Sequence, residues 1–188
     1  LFKYHAACYN THSTIEILAG LRREENLEPD DVRSVSLSVD PGHFKICNIQ
    51  EPQTGLEVKF SLRHTAALAL AGVDTARVDS FSDEMAQRPD LVALRRKVTV
   101  NDNGGPKSLA TARIELSDGR SLERTFDVAV PAEDVQAQGR NIDAKFRSLA
   151  VPLLGEATAA ALLAELHNLE NLDDTGRVLA HLSHWNVN

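Results

Sequence analysis

The amino-acid sequence predicts an α+β fold, with an antiparallel sheet of about four strands and flanking helices. Three observations carry this expectation. Strand-length segments of period two are distinct from segments of period 3.6. Two alternating segments face each other across Asp118-Gly119, the pattern of a β-hairpin. Helical segments occupy both ends of the chain, so helices and strands are segregated rather than strictly alternating.

Taken in chain order, Ser13-Thr14-Ile15-Glu16 has the form of a capping box, and Ile15, Leu18, Ala19 and Leu21 continue it as an apolar stripe to about Arg23. From Arg33 to Asp40, Val35, Leu37 and Val39 alternate with Ser34, Ser36 and Ser38, giving a half-buried strand that Pro41-Gly42 ends. Residues 42–55 hold His43, Cys47, Pro52 and Gly55 without a sustained period, and are expected as a long loop. Glu57 to Gly72 is alanine-rich at helical spacing and predicts one helix, with Phe60, His64 and Ala67 on its inward face. Short helices over 83–87 and 89–96 lead into a strand over 97–101. The hairpin pairs Ala110–Leu116 with Leu122–Val128. Helices over Ile142 to about Leu154, bent or broken at Pro152, over Glu156–Leu172, and over Asp173 to about His184 complete one domain spanning 1–188.

The chain has 188 residues, 43% hydrophobic and 25% charged, which excludes collagen-like, disordered and coiled-coil classes. No apolar run approaches the roughly 18 to 20 residues that cross a bilayer, so a soluble protein with no membrane partner is expected. With 20 Lys+Arg against 27 Asp+Glu, the net charge of -7 opposes generic nucleic-acid binding, and any anion site must be local. Cys8 and Cys47 are too few for a disulfide scaffold and fit a reducing, cytoplasmic compartment. The opening on Leu1 rather than Met is expected of a fragment or a processed piece.

The chemistry-bearing residues crowd at the start. Lys3, His5, Cys8 and His12 place an ammonium, two imidazoles and a thiol just ahead of a helix N-terminus, where backbone N–H groups favour a carboxylate or phosphate. Two other accounts stay open at this level. A capped helix can carry incidental histidines, and His5, Cys8, His12, His43 and Cys47 are ligand types that zinc accepts, although His-x2-Cys-x3-His is no recognised finger. Lys59 and Arg63 lie four apart on the second predicted helix, beside His64, and an ordinary solvated helix face explains them equally well. His181 and His184 read as surface residues of a polar C-terminal helix.

Three segments, Lys3-Tyr4-His5-Ala6-Ala7-Cys8-Tyr9-Asn10-Thr11-His12, Gly55 to His64, and Asp143-Ala144-Lys145-Phe146, together resemble the C-terminal domain of the MmgE/PrpD family. That group contains 2-methylcitrate dehydratase, cis-aconitate decarboxylase and iminodisuccinate epimerase. The likeness runs from residue 3 to about 183 and includes the Ser117-Asp118-Gly119-Arg120 hairpin. It implies the smaller domain of a two-domain, homodimeric enzyme, facing a helical N-terminal domain of the same protein toward which helices 156–184 would pack. It also implies action on small di- or tricarboxylates with no metal and no organic cofactor. Lys3 matches the family's lysine, Cys8 falls where some members place a cleft-facing histidine, and His12 matches the Thr-His that leads into the helix. His64 falls where many members have tyrosine, replacing a phenol with a group that exchanges protons near neutral pH.

The resulting expectation is a lyase (hydro-lyase) or isomerase, 2-methylcitrate dehydratase-like, that abstracts a proton next to a carboxylate. His12 and His64 are the catalytic candidates, and Lys3, His5, Cys8 and Arg63 the substrate-binding ones. The competing expectation is a non-catalytic interaction or regulatory domain that keeps the fold, or a zinc-stabilised module.

Overall fold

A computed structural model describes residues 2–182. The chain forms two compact units, Lys3–Ala132 and a second beginning at Glu133.

The first unit is built on one four-stranded sheet in the order β2-β1-β3-β4, where β1 is Val32–Ser38, β2 Val98–Asn101, β3 Leu109–Leu116 and β4 Ser121–Asp127. The predicted α+β class holds. β1 and β3 pair antiparallel, as do β3 and β4, whose turn has Gly119 at φ +91° and the Asp118 carboxylate accepting from the Arg120 N–H. β2 instead runs parallel to β1, with Val35 opposite Val98, so the sheet is mixed rather than wholly antiparallel. The cause is topological: the chain between these strands is a helical crossover, and such a crossover returns the next strand parallel. Val35 and Leu37 of β1 and Ala110, Ala112, Ile114 and Leu116 of β3 are buried, as period-two alternation requires, and Val32 is buried across the register shift between Val32 and Ser34. β4 buries none of its residues and carries Glu123 and Arg124, the charged character of a protected edge.

Helix α1 (His12–Glu25) buries Ile15, Ile17, Leu18 and Leu21 against the sheet and the helix over Leu62–Leu70. It starts one residue before the expected capping box, and Ser13 and Glu16 do not cap each other. Ser13 Oγ donates to Ser108 O at 2.5 Å and accepts from Val128 N at 3.1 Å, while Glu16 turns to His5. Tertiary partners have outcompeted the local cap. Asn26, at φ 51°, ends the helix in the left-handed region.

Residues 42–55 are not a continuous loop, because Pro41–Cys47 forms helix α2. Asp40 accepts from Gly42 N, and Pro41 stands at a first-turn position where its missing N–H costs nothing. The single helix expected over 57–72 is two helices, α3 (Gly55–Val58) and α4 (Leu62–Leu70). Each has its own cap: Thr54 and Glu57 form a capping box for α3, and Ser61 Oγ accepts from His64 N to begin α4. Lys59 therefore lies at the end of α3 and does not share a helix face with Arg63. Helices α5 (Asp83–Gln87) and α6 (Pro89–Arg96) fall where the sequence puts them.

The second unit is helical. Helix α7 (Val135–Leu154) starts at Val135 rather than Ile142, since Asp134 caps Ala137 N, and it contains Pro152 without ending there. Helix α8 (Glu156–His167) is shorter than expected and is followed by a 3-10 turn at Leu169–Asn171. Helix α9 is Gly176–Ala180, and the expected end at His184 lies outside the described residues. Within this unit His167 meets Asp143 at 2.8 Å, and Glu165 holds Arg177 and His181.

Candidate active site

The opening segment is pinned by backbone bonds before it enters α1. Ala6 N donates to Thr75 O at 2.8 Å, Cys8 N to Lys59 O at 3.0 Å, and both the N–H and hydroxyl of Thr11 donate to Cys8 O. The Tyr9 hydroxyl donates to Val128 O at 3.1 Å. This short stretch thus ties together α1, the end of α3, the segment around Thr75 and the end of β4.

His5 sits between two polar side chains, with Nδ1 2.7 Å from the Thr75 hydroxyl and Nε2 3.1 Å from a Glu16 carboxylate oxygen. Its ring meets that of His12 edge-on, 4.8 Å between centroids, and Tyr9 lies 5.2 Å from His12 on another side. His12 is wholly buried; its Nε2–H points to Ala7 O at 3.4 Å and its Nδ1 has no protein partner. Burial, and then the charges of His5 and Lys3, push its pKa down to about 3, against the weaker upward pull of the Ala7 carbonyl and Glu16. His12 is neutral at pH 7. For Glu16, burial acts upward, but the hydrogen bond from His5 and the charges of His5, Arg23 and His12 outweigh it and hold the carboxyl below the usual range.

His64 occupies a second neighbourhood. It is wholly buried on α4, donates from Nε2 to Met85 O of α5 at 3.1 Å, and leaves Nδ1 without a protein partner. Burial and the charges of Arg95 and Arg88 bring its pKa down to about 4, opposed by the Met85 carbonyl. Arg63 donates to Asn48 Oδ1 at 2.5 Å, and partial burial lowers its pKa. Cys8 is half-buried and Cys47 wholly buried; burial, with Cys8 close by, pushes the Cys47 thiol up. The structure thus brings Lys3 and His5 to bear on His12, whereas the groups acting on His64 are Arg95 and Arg88. Among the described residues, no three His, Cys, Asp or Glu side chains come together in a way that could hold a metal ion.

Sequence reasoning missed two polar neighbours of His5. Glu16 carries one usable signal, since it lies four residues after His12 and hence on the same face of α1. Thr75 carries none, because it lies in an irregular stretch and reaches His5 only through the tertiary fold.

The model of the MmgE/PrpD C-terminal domain matches residues 5–171, most of both units. The chain belongs to the MmgE/PrpD family. Every proposed site residue of this MmgE/PrpD domain lies within the match except Lys3, which precedes it. No curated protein matches the chain. Among the described residues, no helix is long and apolar enough to cross a membrane.

Proposed function

We propose that this MmgE/PrpD domain supplies part of the active site of a cofactor-independent lyase or isomerase, 2-methylcitrate dehydratase-like, that removes a proton next to a carboxylate of a small di- or tricarboxylate. The observation that carries this is the grouping of Lys3, His5 and His12 at the start of α1, an ammonium beside two imidazoles on a chain whose net charge is -7. Such a cluster attracts a carboxylate against the average field and stabilises the extra negative charge that builds up as the C–H bond breaks. Lys3 supplies positive charge, His5 a polar wall beside it, and Cys8 and Arg63 line the approach. His12 and His64, neutral at pH 7, are the acid/base imidazoles, because a neutral ring can accept a proton or donate its N–H.

The rest of the site comes from a helical domain of the same protein in a cytoplasmic homodimer. Val135, Leu153 and Leu179 of the second unit, each more than half exposed, suit burial against such a partner. The test is to incubate the full-length protein in D2O with a panel of hydroxy- and amino-substituted di- and tricarboxylates. Turnover, or deuterium entering the carbon next to a carboxylate, is the expected result. Neither exchange nor turnover on any member overturns the proposal in favour of a non-catalytic domain that retains the fold.

A further inference from the structure

The side chains around His5 form a sequence of their own. Glu16 Oε1 lies 3.1 Å from His5 Nε2, and His5 Nδ1 lies 2.7 Å from the Thr75 hydroxyl. A carboxylate only accepts, so the hydrogen sits on Nε2; in the neutral ring Nδ1 is then a lone pair that accepts the Thr75 O–H. An imidazole within reach of a hydroxyl, oriented from its far side by a carboxylate, is the arrangement that makes a hydroxyl able to give up its proton.

Each member is held independently of the others. Glu16 projects from α1, and the Thr75 backbone is fixed by the bond from Ala6 N to its carbonyl at 2.8 Å. Thr75 is 6% exposed, so its hydroxyl is largely shielded from water that would compete for His5. The titratable and charged groups around the pair are Glu16 and His12 of α1, Lys3 of the opening segment, and Arg23, which acts on Glu16. The segment bearing Thr75 adds Asp74, whose carboxylate accepts from Ala76 N. Both ring nitrogens of His5 are therefore committed, and His5 reaches a substrate only through Thr75.

We propose that Glu16, His5 and Thr75 form a proton relay that ends on the Thr75 hydroxyl, and that Thr75 Oγ1 is a further group that exchanges a proton with the substrate, besides the acid/base imidazoles His12 and His64. The inference rests on the lyase or isomerase reading above. In the forward step Thr75 Oγ1 takes a proton from the substrate while its own proton passes to His5 Nδ1, and the imidazolium keeps its Nε2–H on Glu16. The reverse transfer returns the proton to product or leaving group and restores the starting state, with no change of oxidation level. Glu16 is a positioning residue here, because it acts only through His5.

Two measurements on the full-length protein test the relay. The first needs no substrate: 15N spectra of labelled histidine should show neutral His5 carrying its hydrogen on Nε2, with the Nδ1 resonance moved by Thr75→Val and a mixture of tautomers in Glu16→Gln. Neutral His5 carrying its hydrogen on Nδ1 overturns the relay whatever the substrate proves to be. The second is kinetic. Thr75→Ala should lower kcat about 100-fold or more with KM changed only a few-fold, and Thr75→Ser should recover to within about tenfold of the parent. Glu16→Gln, which keeps the shape but removes the charge, should lose about tenfold or more. Thr75→Ala turning over within about threefold of an active parent overturns the relay but leaves the lyase reading intact. A parent inactive on every carboxylate overturns the lyase reading, and the tautomer spectrum then decides the relay on its own.

Discussion

His12 and His64 are both wholly buried, both donate Nε2–H to a backbone carbonyl, and both leave Nδ1 without a protein partner, yet they stand in different company. His12 touches a second imidazole whose far side is held by Glu16 and Thr75, so proton carriers of several kinds lie within a few ångströms. His64 is enclosed by α4 and α5 with Arg95 and Arg88 as its charged influences, and both oppose its protonation. Burial sets the same charge state for the two rings. Neighbourhood distinguishes them in that state: His12 stands among Lys3, His5 and Glu16, while both guanidiniums acting on His64 oppose its taking up a proton.

The largest expected effect treats the two rings alike. Both have pKa values below the ordinary 6.5, at about 3 and about 4, so the native state binds fewer protons than the unfolded chain once pH drops below 6.5. Stability from these groups is therefore fully present above that value and is lost as pH falls toward the native values. Between pH 7 and pH 5 each ring should cost about 2 kcal/mol, or about 4 kcal/mol together, from about 1.36 kcal/mol per pH unit. Urea unfolding at the two pH values measures it. A stability that stays flat would show that both rings take up their protons in the native state as readily as in the unfolded chain, a loss of about 2 kcal/mol that one of them does, and repeating the measurement with His12→Phe and with His64→Phe identifies which.

The next effect separates them. In the full-length enzyme, His12→Ala and His64→Ala should each lower kcat, on the order of 100-fold for a lost acid/base group, with His12→Ala the more severe. His64→Tyr, the residue many family members carry, should keep partial activity or shift substrate preference. Turnover within a few-fold of the parent, together with a lowered melting temperature, would identify the substituted histidine as a packing residue. If only His64 behaves that way, the contrast between the two neighbourhoods is sharpened rather than lost.

How much of this was legible in the sequence depends on the range of the interactions. The strands were legible because alternation is a property of consecutive residues, and so was the hairpin, whose turn is local. The parallel pairing of β2 with β1 was not, because nothing in Val98–Asn101 states which strand it will meet. The helix over 57–72 looked continuous because its apolar spacing survives the break, while Ser61, the residue that restarts it, is an ordinary residue until its hydroxyl is seen on His64 N. In the site, residue types gave Lys3, His5 and His12. The pattern Ser13-x-x-Glu16 pointed Glu16 the wrong way, since a capping box and a tertiary carboxylate–imidazole bond begin from the same letters.

The smallest effect tests whether His64 depends on its place at the start of α4. Ser61 is wholly buried, and its hydroxyl does two things at once: it donates to Ile49 O at 2.6 Å and accepts from His64 N at 3.1 Å. α1, by contrast, has no side-chain cap, and His12 is its first residue. Ser61→Ala removes both bonds and leaves a carbonyl and an N–H short of partners, which should cost about 1 to 2 kcal/mol in urea unfolding. Because Nε2 of His64 is still held by Met85 O, turnover should fall only a few-fold, well short of the loss in His64→Ala. A drop as deep as that of His64→Ala would mean that the ring's position is set by the cap rather than by Met85. An unchanged stability would mean that water takes over both bonds, and that the break between α3 and α4 is held by the Thr54–Glu57 box and the packing of Leu62 instead.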